Sequence, residues 1–305
     1  MVKKVEPFTV KINGAEISCI QEGGGPADVV FFHGLYDRKN TWEKYFFPLL
    51  PRTGYRFTAF DYPGSGESRA RGKSSYDIKW LAEIAEALFS CLGIKKLNAY
   101  GMSLGALVAS ALASRNQDLV EAMALQGLFV SSEALARSFP FWVKARNEFL
   151  GHPKRSHAWL LAFCAWRRLA VKKEASSLLH VFGHLMNAHE EEFMGRQFDF
   201  IELAYENVKH TAPRAAAGEI FTLLSGVDPA FYSRIHAPTL LIDGENPFPR
   251  APFNMVEIAR RFPAETFLKT LTVPRAGHYA TLLEPAICLY SALAFFAEVE
   301  ARRRK

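Results

Sequence analysis

Gly101-Met102-Ser103-Leu104-Gly105 is the stretch that most restricts what this chain can become. It is a G-x-S-x-G pentapeptide, with the apolar run Leu97 to Tyr100 before it and a helical pattern to about Arg115 after it. A serine held between a strand and a helix takes a sharp, strained turn that lifts its hydroxyl out of the sheet. The flanking glycines are needed because a Cβ there would collide with the adjoining strand and helix. The plainer alternative is a helix start with Ser103 as its cap. The first reading requires a mostly parallel sheet with helices on both faces, and the rest of the chain must supply it.

Phe8 to Ile12 and Ile17 to Ile20 predict a hairpin around Asn13-Gly14, a strong turn dipeptide. Val29 to Phe32, Arg56 to Phe60 and Leu97 to Tyr100 are continuous apolar runs, as central strands covered on both faces require. Tyr76 to Leu92 has apolar residues at helical spacing and is followed by Gly93, a common helix stop. Leu119 to Leu125 reads as a further strand. Between about Val130 and Ala230 strand signal almost vanishes and only helix-like segments remain. Alternation returns with Pro238 to Asp243, Phe253 to Phe262, Lys269 to Val273 and Leu282 to Val299. The expectation is an α/β core from residues 1–129 and 231–305, with residues 130–230 as an inserted helical domain.

Composition narrows the classes. Of 305 residues, 49% are apolar and 22% charged, which suits a globular chain and excludes disorder. The opening MVKKVEPFTV has no apolar run after its basic residues, against a secretory signal. The longest nearly apolar stretch, Ala286 to Ala297, is too short to span a membrane and reads as a buried helix. Cys19, Cys91, Cys164 and Cys288 form no C-x-x-C pair and read as reduced, mostly buried thiols. A cytoplasmic location is expected. The net charge of +6 comes partly from the ARRRK tail, without any motif that reads nucleic acid. Gly23-Gly24-Gly25 and Gly64-x-Gly66 do not make a dinucleotide fingerprint, so no cofactor is implied. His180 and His184, with His189 nearby, have a spacing that could bind zinc, but no third ligand accompanies them, and no metal is expected.

A serine hydroxyl needs a base within hydrogen-bond reach. Arg275-Ala276-Gly277-His278-Tyr279 supplies one, with His278 on a loop between the last strand and the last helix. Acyl transfer also generates an oxyanion, and backbone N–H donors must already face it. The N–H of Leu104, after the serine, and that of Leu35, in Phe31-Phe32-His33-Gly34-Leu35, are the candidates; His33 reads as a structural residue of that loop.

Strand-His-Gly, then Asp61-Tyr62-Pro63-Gly64-Ser65-Gly66-Glu67-Ser68, then Gly-Met-Ser-Leu-Gly, then Ala-Gly-His resembles the α/β-hydrolase superfamily in order and spacing. The resemblance covers the chain outside the insert. It implies an eight-stranded sheet with the second strand antiparallel, a structural role for the Asp61–Ser68 loop, and an insert that acts as a helical lid. Residue by residue it implies Ser103 as nucleophile, His278 as general base, and Leu35 and Leu104 as oxyanion donors.

The third member of that family's triad is an aspartate after the seventh strand, and here none follows Gly244. Asp243-Gly244-Glu245-Asn246-Pro247 occupies the place, and Glu245 is the favoured acid, being anionic and on the right loop. Asn246, Asp243 and Glu133 are the rivals; Gln126 occupies the site some members use for an acid after the sixth strand. An acid matters because it holds the histidine tautomer and stabilises the imidazolium.

The insert is polarised. Arg137 to Lys173 holds nine basic residues and one acid, with Trp142, Trp159, Trp166, Phe139, Phe141, Phe149 and Phe163; Glu174 to Glu219 holds eight acids and three basic residues. One reading is an apolar cover with a basic rim that attracts an anionic substrate or membrane surface. The other is two halves that pair their charges around an aromatic lid core. The expected activity is hydrolysis of a carboxylic ester with an apolar acyl group. Cleavage of a carbon–carbon bond by the same residues is an alternative, as is a ligand-binding member that has lost turnover. Epoxide hydrolysis and dehalogenation need a carboxylate where Ser103 stands.

Overall fold

A computed structural model describes residues 5–51, 54–70, 75–137, 147, 151–182, 186–247 and 253–304. Nine strands form one sheet: β1 (Phe8–Ile12), β2 (Ala15–Gly23), β3 (Ala27–Phe32), β4 (Tyr55–Phe60), β5 (Arg69–Ala70), β6 (Leu97–Met102), β7 (Val120–Gln126), β8 (Thr239–Gly244) and β9 (Leu268–Val273). Eight follow the order β1-β2-β4-β3-β6-β7-β8-β9, and the two-residue β5 pairs with β2 beside them. β2 runs antiparallel to β1, β4 and β5, while all other pairings are parallel. The sheet is therefore mixed, with a parallel centre. The first hairpin turns at Asn13 and Gly14, both at positive φ, as a tight two-residue turn demands.

The central strands are buried on both faces because their odd and even residues feed different cores. On one face Val30, Phe32, Leu125 and Leu241 pack with α2 (Ile78–Cys91) and α3 (Leu104–Arg115). On the other Val29, Phe31, Ala124 and Ile242 pack with α1 (Lys39–Tyr45) and α12 (Pro285–Arg303). The apolar stretch Ala286 to Ala297 lies within α12 and buries Cys288, Leu289, Ala292, Leu293, Phe295 and Phe296. Cys19 and Cys164 are buried too, whereas Cys91 is exposed; all four are free thiols. No helix among the described residues is long and apolar enough to cross a membrane.

Between β7 and β8 every described element is helical: α4 (Ser132–Arg137), α5 (Pro153–Ala170), α6 (Ala175–Phe182), α7 (Ala188–Gly195), α8 (Phe198–Lys209) and α9 (Pro213–Ser225), then a 3-10 turn at Pro229–Arg234. They bury a core of their own, including Leu160, Met194, Phe200, Val208 and Ile220, which also takes in Tyr36 from the loop after β3. Short helices α10 (Met255–Ala259) and α11 (Ala280–Leu283) complete the chain. The helical pattern at Phe253 to Phe262 yields only the five residues of α10, and the pattern from Leu282 is split before Pro285, which opens α12 at a position where its missing N–H is harmless.

Candidate active site

Ser103 stands at the corner between β6 and α3 with φ +54 and ψ −114, a strained backbone for a residue with a side chain. Its hydroxyl makes no capping bond to α3. The flanking glycines are sterically obligatory: a Cβ on Gly105 would lie 2.1 Å from the carbonyl oxygen of Phe32, and one on Gly101 would lie 2.7 Å from the Cα of Ala106. The Ser103 N–H donates to the Gln126 carbonyl at 2.8 Å, tying the corner to β7.

His278 is brought from the far end of the chain by the loop after β9. Its Nε2 lies 3.1 Å from Ser103 Oγ, and the residue is 4% exposed. Phe253 packs beside the imidazole with ring centroids 4.7 Å apart, and Tyr279 meets it edge-on at 5.4 Å. Gly127, at φ +70, lies against it; a Cβ there would come within 2.8 Å of Cε1. The His278 carbonyl accepts from Gln126 Nε2 at 2.6 Å.

Leu104 is the first residue of α3, so its N–H has no acceptor within the helix. Leu35 lines the same cavity as Ser103 and His278. His33 is a structural residue: its Nδ1 lies 2.9 Å from the Gly34 carbonyl and its Nε2 accepts the Tyr62 N–H at 3.0 Å. That pairing sets a neutral tautomer, and burial lowers its pKa. In the Asp61–Ser68 loop the buried Asp61 accepts from Lys39 Nζ at 2.9 Å and from the Glu67 N–H at 3.1 Å, and a Cβ on Gly66 would strike its carboxylate at 2.2 Å.

The candidate acids are dispersed. Glu245 Oε2 accepts the Arg275 N–H at 3.0 Å. Glu133 is exposed and pairs with Arg137 one helical turn on. Asp243 is 5% exposed, and its Oδ1 accepts from the Gly244 N–H. Burial, with Glu190 nearby, pushes its carboxyl up to about 8. The Asn246 N–H donates to Ala276 at 3.0 Å, and its carbonyl accepts from Asn187 Nδ2 at 3.1 Å. Gln126 holds the His278 backbone.

A carboxylate that the sequence reading did not single out sits against the histidine loop. Glu190, the third residue of α7, is fully buried, and its Oε1 accepts from the Gly277 N–H at 2.7 Å and the Tyr279 N–H at 2.9 Å. Burial raises its pKa against these bonds, which lower it. Asn187-x-x-Glu190 is a capping-box signature that marks the start of α7, but a local pattern carries no sign of the residues reached across the fold.

Ser103 and His278 open onto a cavity of about 170 Å³, where a single water needs only about 10–15 Å³. Its lining is mainly apolar, with Met102, Phe129, Phe200, Ile220, Leu223 and Leu224; Asp37, Thr41, Asn207 and Arg167 add polar groups. Among the described residues no three His, Cys, Asp or Glu side chains gather as a metal site; the His180 side chain and His184 lie outside them. So do Trp142, Phe139, Phe141 and Phe149. Trp159 and Trp166 are exposed, so these two do not form an aromatic core of the insert. Charge pairing between its halves does occur, as at Lys173–Glu202.

This arrangement identifies the class: the chain belongs to the α/β hydrolase fold family, whose model matches residues 29–285. A probable lysophospholipase of Arabidopsis thaliana is 28% identical over 126 residues, covering 39% of this chain and 28% of that protein. An sn-1-specific diacylglycerol lipase of Mus musculus is 23% identical over 269 residues, covering 88% of this chain and 80% of that protein. The enol-lactonase from Burkholderia xenovorans has the same fold, with a TM-score of 0.67 at 22% identity over 95% of this chain and 100% of its own. The chain spans from 22% to 35% of the length of the first three curated relatives it matches.

Proposed function

We propose that this chain is a serine hydrolase of carboxylic esters that favours an apolar acyl group. The observation that carries the reading is the 3.1 Å approach of Ser103 Oγ to His278 Nε2 at the wall of a mainly apolar cavity. In this reading Ser103 attacks the ester carbonyl while His278 takes its proton. The alkoxide of the tetrahedral intermediate forms between the N–H groups of Leu35 and Leu104. His278 then returns the proton to the leaving alcohol, and water, activated by the same imidazole, resolves the acyl-enzyme. Glu245, Asp243 and Glu133 each make other contacts, and in this reading Ser103 and His278 carry the steps. The lipase names borne by two relatives agree with an apolar acyl group.

Residues 130–230 serve in this reading as a lid over the acyl cavity, with 1–129 and 231–305 as the catalytic core. The outer face of α5 is proposed as a contact with an anionic lipid surface. Trp159, Trp166 and Leu169 are exposed there beside Lys154, Arg155 and Arg168, and residues 153–173 contain no acid.

A fluorophosphonate probe tests the core of the reading. One adduct is expected on the intact protein, at Ser103, lost in S103A and slowed in H278A. Turnover of p-nitrophenyl esters should fall at least 10³-fold in S103A, and kcat/KM should rise from acetate to longer acyl chains. Absence of an adduct, or one on another residue, defeats the proposal. Turnover of a diketone but not of esters would reassign the site to carbon–carbon cleavage.

A further inference from the structure

The loop that carries His278 is held from outside the core. Asn187 caps α7, its Oδ1 accepting the Glu190 N–H at 2.9 Å while Glu190 Oε2 accepts the Asn187 N–H at 3.1 Å. Glu190 Oε1 is then turned toward the core, where it accepts the N–H groups immediately before and after His278, from Gly277 and Tyr279. Asn187 Nδ2 also reaches the carbonyls of Asn246 and Arg275, at 3.1 and 3.3 Å. The approach is close enough that a Cβ on Gly277 would lie 2.5 Å from Glu190 Oε2, which gives the glycine of Ala276-Gly277-His278 a reason of its own. With Gln126 on the His278 carbonyl, three backbone groups around that residue are fixed by side chains from other elements.

We propose that Glu190 is a positioning residue for His278: a buried carboxylate on the inserted helices that sets the backbone on both sides of the base, so that the imidazole meets Ser103 only while α7 is docked. This rests on the Ser103–His278 reading. Two bonds from one buried carboxyl group to the amides of Gly277 and Tyr279 fix the orientation of the His278 peptide between them, and a base displaced by about 1 Å loses roughly 10²-fold in rate. Glu190 itself does not line the acyl cavity, so its loss acts on the placement of His278 more than on acyl binding.

The test compares E190A, E190D and E190Q with the wild type in the full chain. Each variant is checked for a cooperative melt, then assayed for the rate of fluorophosphonate labelling at Ser103 and for kcat and KM on a p-nitrophenyl ester. Asp keeps the charge and the cap but withdraws the oxygen by one methylene, so E190D carries the test even if E190A does not fold. Folded E190A and E190D are expected to label roughly 10²-fold more slowly, with kcat lowered as much and KM within about threefold. E190Q, which keeps an acceptor oxygen, should recover to within about tenfold of the wild type. Wild-type labelling rates in E190D overturn the proposal. So does a rise in KM at unchanged kcat, since that is the mark of a merely structural tie to the insert. A wild type that does not label at all instead removes the serine-nucleophile reading, and this proposal with it.

Discussion

Gly127 shows how little freedom the His278 ring has. It follows the last residue of β7, sits at φ +70, and presents its bare α-carbon to the imidazole. A methyl there would lie 2.8 Å from Cε1 and 3.1 Å from Nδ1, inside the contact distance of real side chains. Phe253 also packs against the imidazole, 4.7 Å away from centroid to centroid. G127A should therefore move the base away from Ser103 while leaving the sheet intact. Its kcat is expected to fall by roughly 10²-fold. The positive φ adds strain of about 1–3 kcal/mol, so the melting temperature should drop by several degrees. Steady-state kinetics beside a thermal melt check both; wild-type kcat in a correctly folded G127A would show that the ring has room the contacts do not suggest.

Strand β8 and helix α9 each bury an acid. Asp243, next to last in β8, has its carboxyl pushed up to about 8, and Glu219 on α9, buried as well, is pushed up to about 8 by burial alone. An unfolded chain releases these protons near the ordinary carboxylate values, whereas the folded chain keeps them to higher pH. Across the window from about 4 to 8 the native state binds more protons, so its stability falls as pH rises. Each unit of such a shift is worth about 1.4 kcal/mol. D243N keeps an oxygen for the Gly244 N–H and removes the ionisation, so the urea midpoint should fall less between pH 5 and pH 9 than in the wild type. Parallel loss in both proteins would count against a proton held on Asp243. Asp243 also illustrates what a sequence can disclose. The strands, the elbow and the Ala-Gly-His loop were legible because periodicity, turn residues and steric demands are local, and family order tied Ser103 to His278. The environment of each carboxylate was not, since Glu245 meets Arg275 and Glu190 meets residues 277 and 279 through separations that no local pattern encodes. The aromatic residues of the insert misled for a related reason: helical spacing puts Trp159, Phe163 and Trp166 near one another, but burial depends on which face the neighbouring helices cover.

The protein presents two unlike sides. The apolar cavity faces Ser103 and His278, whereas α5 turns an aromatic and basic surface outward. Trp159 is 45%, Trp166 59% and Leu169 81% exposed, and Trp159 stacks on Phe163 at 5.5 Å. A water-facing surface of this kind costs solubility without adding to the core, and its cations complement an anionic headgroup layer into which indole rings partition. Binding to vesicles rich in phosphatidylserine is therefore expected, weaker on pure phosphatidylcholine and weakened again by high salt, because screening acts on the charged part of the attraction. The double variant W159A/W166A should lose several-fold in vesicle affinity. It should melt within about 2 °C of the wild type, since both rings are about half exposed already, and should turn over a water-soluble p-nitrophenyl ester at an unchanged rate. Co-sedimentation with the two vesicle types, repeated at 0.5 M salt, separates these contributions. Equal sedimentation of wild type and double variant with anionic vesicles would remove α5 as the contact and leave the exposed tryptophans without a role at the membrane.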